Sequence, residues 1–127
     1  MGKVNSYKEL LIWQRAMDIA EDVYVLTRTY PKDEVFALTN QIRRSAVFVS
    51  SNIAEGYGRK STASNVHFTK IARGSLYELE TQLILSDRIG YITNKILFDS
   101  IIDSIAQEGK MINSYIIKLQ DKIIDNN

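Results

Sequence analysis

Six cations, Arg43, Arg44, Arg59, Lys60, Lys70 and Arg73, fall between Asn40 and Arg73, where the only acid is Glu55. Elsewhere the chain carries ten basic and fourteen acidic residues, so a net charge of +1 conceals a positive middle. Lysine and arginine side chains hold phosphate and carboxylate groups by charge and by N–H donation. A locally basic stretch in a near-neutral chain therefore points to an anionic partner, RNA or DNA first, reached through these six residues. The competing reading is that they are the ordinary solvent-facing charges of helices, or that they serve contacts with another protein or another subunit.

Residues that could carry catalysis are scarce. There is one histidine, His67, and no cysteine. Di-metal helical bundles draw on Glu-x-x-His pairs from two helices, and the residue three before His67 is Ser64. There is no His-Glu-x-x-His, and Gly56-Tyr-Gly-Arg59 has neither the spacing nor the preceding strand of a phosphate-binding loop. The chain is thus expected to be no enzyme and to need no cofactor or metal, with His67 a surface or interface residue. Glu55 could shape a binding site. It is better read as structural, together with Asn52, neutralising Arg43, Arg59 or Arg73 or bonding amides near the next helix; Glu78 and Glu80 carry the same ambiguity. The absence of cysteine fits a reducing compartment. No basic start leads into an apolar run, and no run approaches the ~18–20 residues needed to cross a bilayer. The expected location is the cytoplasm.

These side chains must be held by helices, because the apolar residues recur at helical spacing and never in alternation. A first helix is expected over Ser6–Tyr30, opened by a Ser6/Glu9 capping box. Its inner face would be Trp13, Ala16, Met17, Ala20, Tyr24 and Thr27, with Trp13 a core or interface anchor. Pro31 would stop it, and Asp33 and Glu34 would favour the start of the next helix. Leu38–Arg59 reads as the second, with the stripe Leu38, Ile42, Ala46, Val49 and Ile53 and an end near Gly56 or Gly58 in left-handed conformation. Ser61 or Thr62 would cap a third, with the stripe Phe68, Ile71, Ala72, Ser75, Leu76, Leu79, Leu83 and Ser86; its small residues Ala72, Gly74 and Ser75 would admit a close neighbour. Gly90 would end it. A fourth would start near Thr93 on the stripe Leu97, Ile101, Ile105, Ile112, Ile116, Leu119 and Ile123. Phe98, Ile102, Ile117 and Ile124 form a second strip, for another subunit or for deeper burial within the bundle. Gly109 would mark close packing or a bend, and the terminal Asp125–Asn127 would fray.

Four long helices with short links and no strand signal imply an all-α, antiparallel up-down-up-down four-helix bundle, one domain over residues 1–127.

The segments LLIWQRA around Trp13, YPKDEVFALTNQIRRSA, SNIAEGYGR and IARGSLYELETQL occur in this order from about Tyr7 to Leu119, with a looser match at EGKMIN. In them the chain resembles the four-helix-bundle proteins encoded in intervening sequences of bacterial 23S ribosomal RNA genes. The resemblance implies a homo-oligomeric ring, a pentamer. It also implies kinship with the basic accessory variability proteins of diversity-generating retroelements, which bind nucleic acid and a reverse transcriptase. The matching motif positions are Arg43, Arg44, Asn52, Glu55, Gly56, Arg59, Gly74, Ser75 and Glu78. This chain departs from the retroelement proteins in being close to neutral.

Overall fold

The structure is a computed structural model that describes residues 5–125. Four α-helices carry it: α1 (Leu11–Thr27), α2 (Leu38–Tyr57), α3 (Thr62–Arg88) and α4 (Lys95–Asp125), with 3₁₀ turns at Tyr7–Glu9 and Lys32–Glu34. Each helix packs on two neighbours, α1 on α2 and α4, and α3 on α2 and α4, as in an antiparallel bundle. No strand occurs among the described residues. The core is aliphatic and layered, with Ile42, Leu76, Leu79, Leu83, Ile101 and Ile112 without accessible surface. Burial of such side chains contributes roughly 1.5–3 kcal/mol each before the entropy of ordering them is subtracted.

The helix starts and stops differ from expectation in instructive ways. Ser6 caps the 3₁₀ turn, accepting from Lys8 N, while Glu9 reaches Asn5 N; α1 itself begins only after Leu10 leaves helical geometry. It ends at Thr27, three residues before the expected Tyr30. Asp33 and Glu34 lie in the second 3₁₀ turn, so they do not sit in the first turn of α2, which starts at Leu38 without a side-chain cap. Ser61 caps α3 as expected, accepting from Ser64 N. Gly90, at φ +84°, closes α3: Tyr91 N donates to Ser86 O and Gly90 N to Asp87 O. The cap of α4 is Asn94, whose Oδ1 accepts from Leu97 N, and Thr93 instead bonds Thr29. Asp125, expected to fray, is helical; Asn126 and Asn127, expected to fray with it, lie outside the described residues.

The apolar faces of three helices also sit differently. The buried residues of α1 are Ile12, Ala16, Ile19, Ala20, Val23, Leu26 and Thr27, a stripe turned by about one residue from Trp13, Met17 and Tyr24. Those three line an open cleft of about 620 Å³ with Tyr7, Val25, Val47 and Ala54. On α4, Phe98 belongs to the bundle's own core, Ile102 is half-buried, and only Ile117 and Ile124 of the expected second strip remain exposed. On α3, Ile71 is exposed and Phe68 half-buried; Val66 and Thr69 take the interior positions.

Candidate nucleic-acid interface

The α2–α3 corner follows from tight local packing. Gly56 is buried inside α2, and a β-carbon there would lie 2.9 Å from Asn65 Oδ1, 3.0 Å from Phe68 Cβ and 3.1 Å from Asn65 O. The glycine is required by the approach of α3. Its φ is not positive, so the left-handed cap expected at Gly56 is not what it does. Tight contact at Gly56 lets the chain reverse across Gly58–Ser61 and leaves Arg59 and Lys60 exposed on the turn. Arg59 pairs with Glu55 one helical turn earlier, and its guanidinium lies 4.6 Å from the centre of the Phe68 ring. Lys60 has no partner among the described residues.

The other four cations are dispersed. Arg43 is tied to α1: its Nε donates to Thr27 Oγ1 at 2.9 Å and its guanidinium sits over Tyr24. Thr27 Oγ1 in turn donates to Val23 O, so this hydroxyl is used on both sides. Arg44 lies over Phe48. Arginines 43 and 44 are about 22 Å along α2 from the corner, at 1.5 Å per residue. Arg73 donates to Asn113 Oδ1 at 3.0 Å and pins α3 to α4. Lys70 is exposed on α3 without a partner among the described residues. Three of the six cations therefore make hydrogen bonds or an ion pair within the protomer.

The remaining motif residues have modest geometry. Asn52 donates to Phe48 O along its own helix, and Glu78 accepts a 3.5 Å bond from Gln82. Ser75 is buried, whereas Gly74 is exposed with nothing within 4 Å of a would-be β-carbon. His67 is exposed and meets Phe68 edge-on. No group of three or more His, Cys, Asp or Glu among the described residues could hold a metal ion.

Exposed apolar residues of α1 and α2, among them Met17, Tyr24, Val47 and Phe48, line two adjoining clefts. The Trp13 cleft shares Tyr24 and Val47 with a second cleft lined by Phe36, Arg43, Arg44 and Phe48. Phe36 is 95% exposed. The two clefts together form one exposed apolar patch along α1 and α2.

One residue of consequence went unread in the sequence. Glu108 of α4 is 0% exposed, and neither carboxylate oxygen has a hydrogen-bond partner. Burial pushes its carboxyl up to about 8, with the Arg15 guanidinium pulling the other way. Arg15 is itself occupied, donating to Gln107 Oε1 at 2.8 Å. The signal was a gap: a stripe running Ile101, Ile105, Ile112, Ile116 skips one interior position, and Glu108 fills it.

A family model for the 23S rRNA-intervening sequence proteins matches residues 8–114. The chain belongs to this family. Among solved structures, a crystal structure of a protein of unknown function from the S23 ribosomal protein family, from Bacteroides thetaiotaomicron, is similar with a TM-score of 0.75. The two are 25% identical over 84% of this chain and 98% of that one. No curated protein matches. For this member of the intervening-sequence family, the string SNIAEGYGR has a physical meaning: Gly56 lets α3 approach, and Glu55 holds Arg59 beside the turn. No helix among the described residues is long and apolar enough to cross a membrane.

Proposed function

We propose that this intervening-sequence family member is a cytoplasmic, non-enzymatic, homo-oligomeric module that binds RNA or DNA. The observation that carries the reading is the α2–α3 corner, where Lys60 is exposed without a partner and Arg59 is held beside it by Glu55 and Phe68. The corner also opens α3, a 27-residue helix whose first-turn amides favour anionic groups. A single protomer offers few phosphate contacts, and repetition of the corner around an oligomer, a ring of five by the family resemblance, supplies multivalency. The apolar α1–α2 face supports self-association.

The test replaces Arg59 and Lys60 together by alanine. RNA and DNA affinity should fall about equally across sequences and the dependence on salt should flatten, with the oligomer retained. Unchanged affinity would remove the corner from the interface. Sedimentation at micromolar concentration should show a multimer, and a clean monomer would contradict the assembly.

The second reading is an adaptor whose oligomer holds another protein. It is favoured by Phe36, Val47 and Phe48 lying beside Arg43 and Arg44 in one cleft. On that reading Arg43→Ala disturbs assembly, since it releases Thr27 and Tyr24 at the edge of the apolar face.

A further inference from the structure

We infer that single-stranded nucleic acid lies along a lysine-and-tyrosine trough on α4, at the end of the bundle that also carries the α2–α3 corner; the inference rests on the nucleic-acid reading above and gives it a strand type and a path. Two clefts, of about 390 and 550 Å³, share Leu10, Tyr115 and Lys118 and so form one continuous depression. Lys110 lies at one end of it and Lys122 at the other. Along the helix axis, Lys118 and Lys122 are about 6 Å apart and Lys110 and Lys118 about 12 Å.

The lysines of the trough make no ion pair among the described residues. No aspartate or glutamate lines either cleft. Asp121 and Asp125 share the C-terminal turns of α4, but neither comes within 4 Å of a lysine nitrogen among the described residues. The far wall is formed by Tyr57 and Thr62, so the trough runs directly into the amino-terminal turn of α3 and the Lys60 corner.

The trough also offers rings. Tyr57 and Tyr115 both line it, and Asn65 fixes the Tyr115 phenol by donating to its oxygen at 3.1 Å. A positive groove with interleaved aromatic side chains suits a single strand, whose bases are free to stack. A duplex keeps its bases stacked on each other and would use the lysines alone. An acidic peptide would likewise use the charge and leave the rings idle.

The test is a fluorescence-anisotropy titration of the intact oligomer with a single-stranded RNA, the same sequence as DNA, and a duplex. Lys118→Glu with Lys122→Glu is set beside the Arg59/Lys60 alanine pair. Both lysines are exposed, so the fold should survive; helical circular dichroism and sedimentation verify that. The charge reversal should weaken single-strand binding by about tenfold or more at low salt. Tyr57→Leu should bring single-strand affinity down toward the duplex value, from an initial preference of about fivefold or more for the single strand. Binding by the glutamate pair within twofold of wild type, while the corner pair loses affinity, would overturn the trough and leave the nucleic-acid reading standing. Preference for the duplex, or equal displacement of RNA by polyglutamate, would overturn the strand assignment. Absence of any binding by the wild-type oligomer at low salt would remove both.

Discussion

Raising the pH from 5 to 8.5 should destabilise this bundle, and Glu108→Gln should remove the greater part of that loss. The sign follows from the direction of the shift. Glu108 is buried without a partner, and its carboxyl is held near 8 in the folded protein against an ordinary value of 4.5. The folded state therefore keeps its proton in a range where the unfolded chain has released it. Below the ordinary carboxylate range both states are protonated and the contribution of Glu108 is constant. Between about 4.5 and about 8, unfolding releases a proton, and stability falls with each pH unit. Above the folded value the loss is complete. At 1.36 kcal/mol per unit the upper limit is on the order of 5 kcal/mol, less any relaxation that admits water to the carboxylate. Arg15 tempers the cost but is committed to Gln107. Denaturant titrations at fixed protomer concentration should give wild-type and Glu108→Gln midpoints that nearly coincide at pH 5 and diverge by pH 8.5, with the glutamine variant the more stable. Parallel pH curves for the two proteins would mean that Glu108 is solvated or paired in solution.

Gly56→Ala should destabilise the protein by about 1–3 kcal/mol, the range for overpacking a close-packed site. The added methyl would stand 3.0 Å from Phe68 Cβ and 3.1 Å from a backbone carbonyl, neither of which can swing aside. The helices α2 and α3 must separate, opposed only by the ~1 kcal/mol that alanine gains over glycine in a helix. Gly109 provides the contrast. It too is buried in a helix, but a β-carbon there finds only Leu76 Cδ2, at 3.8 Å. Gly109→Ala should therefore stabilise by up to ~1 kcal/mol. Thermal or chemical unfolding of the two variants should move in opposite directions; a stabilised Gly56→Ala would show that the α2–α3 contact is looser than described.

Periodicity made the bundle legible because an interior position on a long helix leaves a repeating mark. The stripes of α2, α3 and α4 place Ile42, Ile53, Leu76, Leu83, Ile101 and Ile112 where the structure buries them. On α1 the mark was double. Trp13, Met17 and Tyr24 repeat at helical spacing as well as Ile12, Ile19, Val23 and Leu26 do, and only the neighbouring helices decide which stripe turns inward. Gly56 illustrates a second limit: a glycine near a helix end serves equally for a left-handed cap or a close approach, and the choice depends on Asn65 and Phe68 of another helix. The basic middle was visible as a run in the chain, but the partners of its members lie far away in sequence, Arg43 on Thr27 and Arg73 on Asn113. The lysines of the trough escaped notice for the converse reason. Lys110, Lys118 and Lys122 sit among acids in sequence, and folding brings Lys118 and Lys122 into one cleft with Tyr57 and Thr62, and Lys110 into the adjoining one.

The most direct test of the central claim is the salt dependence of single-stranded RNA binding by the wild-type oligomer. Each phosphate contact on a single strand contributes about −0.7 to the slope of log K against log salt. Three trough lysines in one protomer predict a slope of about −2, steeper when a longer strand engages neighbouring protomers. A slope near zero, or no binding at low salt, would contradict the account.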